Sequence, residues 1–250
     1  MNGYPRFGWV DIIRFQQPLN QFTLSELEEP YLWFSKPTAF NDVEDANISM
    51  FVEKNDIVKE ALSQVFSEGQ IQELADKMKH IGICCFTTEI PDKRNKERFP
   101  KGCKSLVIEF DKDSLLDYFL NSHYAVPECF RPVIYSDDAI KVEQDGNYHY
   151  LYDKGEWGEH YKSIKELTMH PRYVDQFMFF LLTRLKERFS IQKEERIILS
   201  GHNIKEFDEN ITGYKILIPK ECINCVYFYD GDEQYIDKVR NLGYETEIIK

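Results

Sequence analysis

Three polar side chains in the C-terminal third of the chain have types and spacing that suit a chemical site. Gln192, Glu194 and Arg196 alternate along residues 191–199, a run that ends in strong strand formers. Alternate residues of a strand share one face, so a strand over 191–199 directs an amide, a carboxylate and a guanidinium the same way. Such a face can bind a polar ligand, or it can be the solvated face of an ordinary sheet.

A second group of polar residues follows a predicted strand that ends at a proline. Asn41, Asp42, Glu44 and Asp45 carry the oxygen atoms that divalent metals prefer. A metal-dependent nuclease or hydrolase would use such a group. The favoured alternative is that Asn41 and Asp42 stabilise a tight turn through their own backbone.

The cysteines predict buried thiols rather than disulfides. The chain has 6 of them, and only Cys222-Ile-Asn-Cys225 has the spacing of a zinc or redox pair. One such pair without a second pair nearby is a weak metal signal. Cys84 and Cys85 are adjacent, so on a strand they face opposite ways.

Composition favours a folded domain with a large core and disfavours two classes of partner. Of the 250 residues, 42% are hydrophobic and 14% aromatic, which is ample material for a core. The formal net charge of -12 repels nucleic acid at long range. No stretch reaches the apolar length of a membrane span, and the first residues lack the hydrophobic region of a signal peptide. We expect a cytoplasmic protein that does not enter a membrane.

The elements that would position these residues are strands interspersed with helices. Apolar and β-branched runs predict strands at 12–15, 31–35, 81–87, 105–110, 131–135, 191–199 and 214–218. Helical spacing predicts helices at 111–121 and 232–242, and a long, central, mostly apolar helix at 174–189. The tyrosine-rich stretch 144–157 is interpreted as an irregular excursion or a mobile loop.

These elements do not alternate in a strict βαβ rhythm. The predicted fold is therefore one α+β domain over residues 1–250, with a mixed, mostly antiparallel sheet packed with helices. No glycine-rich phosphate loop is present in the sequence, which disfavours kinase, P-loop and Rossmann folds.

Four segments carry a family resemblance over nearly the whole chain. They are Phe22–Leu24 with Leu32–Asp42, Ile83–Thr87, Lys101–Cys103 with Val107–Asp111, and Glu194–Arg196. Their order and spacing resemble the bacterial family catalogued as "domain of unknown function 2971". The resemblance implies a bacterial protein, and members of that family are often associated with mobile elements and phage defence.

A second resemblance concerns chemistry. Arg14 on a first strand, Ser35 on a second strand and Gln192-x-Glu194 on a late strand are similar to the Arg–Ser–(Gln/Glu)-x-Glu pattern of ADP-ribosyltransferases. The resemblance implies an ADP-ribosyltransferase-like fold with NAD as substrate and an unknown acceptor. It implies that Glu194 is catalytic, that Gln192 orients the acceptor, that Arg14 binds the phosphates and that Ser35 binds the nicotinamide ribose.

The leading hypothesis is thus an NAD-dependent, ADP-ribosyltransferase-like enzyme of a bacterial defence or toxin system. Such an enzyme places a carboxylate where positive charge builds on the ribose as nicotinamide leaves. Two alternatives stay open at this point. One is a non-enzymatic module that binds a ligand or a protein, and the other is the metal-dependent nuclease or hydrolase built on Asn41 and its neighbours.

Overall fold

The computed structural model describes residues 12–18, 21–40, 80–89, 105–122, 129–135, 141–145, 148–152, 162–163, 182–200, 212–229 and 233–249. The strands are β1 (Ile12–Pro18), β2 (Tyr31–Ser35), β3 (Ile81–Thr87), β4 (Ser105–Phe110), β5 (Phe130–Pro132), β6 (Ile134–Tyr135), β7 (Lys141–Asp145), β8 (Tyr148–Tyr152), β9 (Lys162–Ser163), β10 (Arg184–Leu185), β11 (Glu194–Ser200), β12 (Gly213–Leu217), β13 (Ile223–Phe228) and β14 (Glu245–Ile248). The α-helices are α1 (Gln21–Glu28), α2 (Lys112–Asn121) and α3 (Glu233–Asn241). Short 3-10 helices cover Pro37–Ala39, Glu187–Gln192 and Lys220–Cys222.

β3 is the centre of the main sheet. β11 runs antiparallel along one edge of β3 over its full length, from Glu194 opposite Thr87 to Ser200 opposite Ile81. The other edge of β3 is shared, because β2 meets it at Ile83 and β1 meets it at Thr87. The path continues from β2 to β12 on one side and from β1 through β4 and β13 to β14 on the other, while β5 pairs with β11.

Most of these pairings are antiparallel. The exceptions among the described strands are β13 with β14 and β6 with β10, which are parallel. A separate sheet of β7, β8 and β9 is antiparallel throughout. The predicted α+β class with a mixed, mostly antiparallel sheet is confirmed, whereas the likeness to ADP-ribosyltransferases and the extent of the domain stay predictions.

One face of the main sheet packs against helix α2. The register puts Phe34, Gly82 and Phe86 in rows on this face, and the Phe34 ring meets the Phe119 ring of α2 edge-on at 5.8 Å. A Cβ on Gly82 would lie 2.8 Å from the Cβ of Phe34, so this packing requires glycine there. We call this the core face, and the opposite face, which carries Ser35, Cys85 and Glu194, the Glu194 face.

Two predicted segments differ from the structure. Residues 141–145 and 148–152 form an antiparallel pair of strands, so the irregular excursion predicted from residue 144 is wrong there. Alternating tyrosines suit strands. The helix predicted over 174–189 is wrong from residue 184, because β10 takes extended pairing with β6 instead; residues 174–181 lie outside the described part.

Candidate functional site

The strand that carries Glu194 begins later than predicted. Residues Glu187–Gln192 form a 3-10 helix, and Lys193 follows in the left-handed region at φ 42° and ψ 52°. A left-handed residue cannot continue a strand, so β11 starts only at Glu194. The expectation that Gln192 shares a strand face with Glu194 is therefore wrong.

The turn before β11 is tied to the end of β3. The carbonyl of Gln192 accepts a hydrogen bond from the hydroxyl of Thr87 at 2.9 Å, and the carbonyl of Lys193 accepts one from the amide of Thr88 at 3.1 Å. The Lys193 ammonium also pairs with the Glu89 carboxylate. The two hydrogen bonds from Thr87 and Thr88 fix where the strand starts, and hence where Glu194 lies, while the half-buried Gln192 lies beside it on the turn.

Glu194 and Arg196 share a face of β11, as predicted, and form an enclosed ion pair. The Arg196 Nε donates to the Glu194 Oε1 at 2.7 Å, with side chains 0% and 11% exposed respectively. Arg196 Nη1 donates to the carbonyl of Leu182 at 2.6 Å, and its Cζ lies 5.9 Å from the centre of the Phe40 ring. For this pair the alternative of a solvated sheet face is wrong.

Two further polar groups contact Glu194, and the sequence patterns did not single out either. Cys85 lies opposite Arg196 on β3, and its thiol bonds to the Glu194 carboxylate. Burial, followed by the Glu194 charge, raises the pKa of the Cys85 thiol well above its usual value, while Arg196 acts in the opposite direction. The Tyr135 hydroxyl accepts from the Glu194 amide at 2.7 Å, and burial raises the pKa of Tyr135 to about 12.

We call Phe40, Cys85, Tyr135, Glu194 and Arg196 the Arg196 cluster. Four of its five members come from three of the four segments that carry the family resemblance: Leu32–Asp42, Ile83–Thr87 and Glu194–Arg196; Tyr135 lies outside these segments. The remaining segment, Lys101–Cys103 with Val107–Asp111, ends beside β11 as well. Lys112, directly after Asp111, pairs through its Nζ with the Oε2 of Glu195 at 2.5 Å. Segments far apart in sequence therefore meet at one short strand.

Ser35 lies on the Glu194 face but at a distance from Glu194. It pairs with Gly213 and with Ile83, whereas Glu194 pairs with Thr87 on the other edge of β3. Four residues along β3 and two strand spacings across it separate their Cα atoms by about 16 Å. Between them Ile83 is 1% exposed and Arg196 0%, so protein covers this part of the face. The structure does not bring Ser35 and Glu194 to a common point, so the expectation that Ser35 binds the nicotinamide ribose on which Glu194 acts is wrong.

Arg14 lies two strands from Glu194 in the sheet. Its neighbour Ile13 pairs with Thr87, which pairs in turn with Glu194, so these three residues form one row. Arg14 belongs to the next row and pairs with Ile108. The Arg14 backbone is therefore one residue along β1 from the row that holds Glu194, but Arg14 does not belong to that row.

The candidate metal ligands give no site within the described ranges. Asn41, Asp42, Glu44 and Asp45 lie outside them, and no group of three or more His, Cys, Asp or Glu within them could hold a metal ion. Cys222 and Cys225 are buried, as expected of structural thiols. Burial raises the pKa of each to about 11.

Comparison of the chain with protein-family models, curated proteins and solved structures gives no match. Both resemblances therefore stay predictions that rest on the residues quoted for them. The structure adds that three of the four family segments, Leu32–Asp42, Ile83–Thr87 and Glu194–Arg196, contribute residues around Arg196.

Proposed function

We propose that this chain is an NAD-dependent, ADP-ribosyltransferase-like enzyme in which the Glu194 carboxylate faces the nicotinamide ribose. The observation that carries the proposal is the enclosed Glu194–Arg196 pair, with 2.7 Å between Nε and Oε1, at the start of a central strand. As nicotinamide leaves, positive charge builds on the ribose ring, and a fixed carboxylate stabilises that charge. Enclosure strengthens the effect, because an electrostatic interaction grows as water is removed.

The roles of the remaining residues depend on their positions relative to Glu194. Gln192 stands on the adjacent turn and orients the acceptor. Ser35 is about 16 Å away by strand geometry, with covered residues between, so we assign it no contact with the nicotinamide ribose. Trp33 shares the face of Ser35 and is half-buried, which offers an aromatic surface for stacking a base. We assign Arg14 no ligand contact, because its position on β1 alternates with the row that holds Glu194.

A calorimetric titration with NAD, paired with an assay for released nicotinamide, tests this function. The wild-type chain should bind NAD and release nicotinamide. Glu194→Gln should bind NAD with a similar Kd but lose about a hundredfold or more in kcat, the usual effect of removing one transition-state contact. Glu89→Gln, an exposed carboxylate paired with Lys193 nearby, is the matched control and should keep wild-type rates.

A second candidate is a non-enzymatic module that binds a ligand or a protein. It is favoured by the fact that Arg196 already engages the Glu194 carboxylate, while Ile83 and Arg196 are covered between Glu194 and Ser35. In that case NAD or another nucleotide binds without nicotinamide release, and Glu194→Gln behaves as wild type. The metal-dependent hydrolase on Asn41, Asp42, Glu44 and Asp45 would show itself as a chelator-sensitive nuclease or hydrolase activity.

Location and biological role rest on composition and resemblance. No helix within the described ranges is long and apolar enough to cross a membrane. A cytoplasmic location, a role in bacterial phage defence or a toxin system, and an acceptor other than nucleic acid complete the proposal.

A further inference from the structure

We propose that Arg196 is a positioning residue that holds the Glu194 carboxylate in one orientation and does not touch the ligand. The inference rests on the proposed function for the ligand on which Glu194 acts. The orientation of Glu194 can also be measured without any ligand. An arginine in a polar cluster would ordinarily be assigned to a phosphate or a carboxylate of a substrate.

Burial excludes Arg196 from direct contact with a phosphate or a carboxylate of a substrate. Its side chain is 0% exposed, and its backbone pairs on both edges of β11, with Cys85 of β3 and Arg131 of β5. A ligand that approaches the Glu194 face meets the Glu194 side chain, which is 11% exposed, before it can meet Arg196. Arg196 therefore acts on a ligand only through Glu194.

The contacts of the guanidinium fix its plane. One nitrogen donates to the Leu182 carbonyl at 2.6 Å, a second donates to the Glu194 carboxylate at 2.7 Å, and the Phe40 ring lies 5.9 Å from the central carbon. A planar fork anchored at two nitrogens presents its Nε in one direction only. A glutamate side chain otherwise samples many rotamers, so this anchor is what sets the direction of the carboxylate.

The substitution Arg196→Lys tests the charge of residue 196 separately from the geometry of the guanidinium. An ammonium keeps the positive charge, but it is a compact group on a flexible stem and lacks the fork that reaches two acceptors in fixed directions. If only charge matters, Arg196→Lys should work as wild type. If the orientation of Glu194 matters, Arg196→Lys should fail in the chemical step.

The kinetic arm compares wild type, Arg196→Lys and a matched control in NAD turnover. Arg196→Lys should lower kcat by about a hundredfold, as expected for a displaced catalytic group, with KM changed by less than about threefold. The control, Lys112→Gln, breaks a similarly enclosed pair with Glu195, next to Glu194 on the same strand, and should keep kcat even if stability falls. An Arg196→Lys enzyme with wild-type kcat overturns the proposal.

A second arm uses the Cys85 thiol as a probe of the carboxylate and needs no turnover. Burial and then the Glu194 charge raise the pKa of Cys85, so removal of that charge in Glu194→Gln should speed alkylation of Cys85 at mildly alkaline pH, read by peptide fragmentation. In the Arg196→Lys background the carboxylate is no longer held beside the thiol, so Glu194→Gln should change the alkylation rate little. An equal change in both backgrounds overturns the proposal.

The two arms separate failure of the inference from failure of the proposed function. If the wild type releases no nicotinamide, the proposed function fails, and the Cys85 rates alone decide whether Arg196 orients Glu194. If Arg196→Lys does not fold, Phe40→Leu removes the ring beside the guanidinium and should show the same changes in both arms to a smaller extent. Wild-type behaviour of Phe40→Leu would then count against the proposal.

Discussion

The Glu194–Arg196 pair differs energetically from most ion pairs on strands because both side chains are enclosed. Exposed pairs such as Lys215–Glu29 typically contribute about 0–1 kcal/mol to stability. Removal of one partner from a buried pair costs more, since it leaves a charge in a poorly solvated place. The buried pair therefore affects the free energy of unfolding mainly when one partner is removed and the other is left.

We predict that Arg196→Met lowers the free energy of unfolding by about 3–5 kcal/mol, because it leaves the Glu194 carboxylate without its guanidinium. The double variant Arg196→Met with Glu194→Met should recover most of that loss, since no buried charge remains. Urea unfolding of both variants and the wild type measures this. A double variant that is less stable than Arg196→Met would contradict the account.

At the scale of elements, the turn at Lys193 decides which residues β11 presents. The sequence pattern places Ile197–Leu199 in a strand correctly, because strand formers dominate there. The same pattern cannot show that Lys193 is left-handed, since lysine carries no turn signal of the kind glycine and asparagine carry. Contacts with Thr87 and Thr88, which are distant in sequence, impose that conformation.

We predict that Lys193→Val destabilises the fold by about 1–2 kcal/mol, because a β-branched residue is strained in the left-handed region. Lys193→Gly should be close to neutral: glycine relieves the strain but costs entropy, and the exposed pair with Glu89 contributes little. Thermal unfolding with both variants measures the difference. Equal stability of the two variants would show that the turn is not left-handed.

The other elements can likewise be divided into those that the local sequence pattern predicts and those that it does not. The strands at 31–35, 81–87 and 105–110 and the helix near 111–121 follow from local pattern, and the structure has them within a residue. Pairing of β10 with β6 and closure of Phe40 over Arg196 depend on tertiary contacts that no local pattern encodes. Of the candidate site, the shared face of Glu194 and Arg196 was predictable, and the roles of Cys85 and Tyr135 were not.

At the scale of the whole molecule, buried thiols and phenols make the fold sensitive to alkali. Burial raises the pKa of Cys222 and Cys225 from 9.0 to about 11, and those of Tyr135, Tyr214 and Tyr244 from 10.0 to about 12. At a pH between the ordinary and the raised pKa of a group, the unfolded chain has released a proton that the folded chain keeps. Stability is therefore complete below about pH 9 and declines as the pH rises.

We predict a free energy of unfolding that is level from about pH 7 to 8.5 and falls steadily from about pH 9 to 11, measured by urea titration at each pH. Cys222→Ala should flatten the first part of the decline, because it removes one thiol that titrates there. Stability that stays level up to about pH 11 would contradict these environments.

In the whole sheet, the Arg196 cluster lies where strands from distant parts of the chain meet. β3 lies between the edge with β1 and β2 and the edge with β11, so it joins the rows that hold Ile13, Ser35 and Glu194. Three of the segments that carry the family resemblance meet there, and Arg196 lies fully enclosed among them. A function that uses these segments together should depend on Glu194 more than on any carboxylate outside the cluster.

The most direct test of the role of Glu194 is the release of nicotinamide from NAD by purified wild type, Glu194→Gln and Glu89→Gln, each first shown to be folded by near-UV circular dichroism. We expect release by wild type and Glu89→Gln, and a rate lower by about a hundredfold or more for Glu194→Gln. Equal rates for Glu194→Gln and wild type, or no release and no NAD binding by wild type with any acceptor, would contradict it.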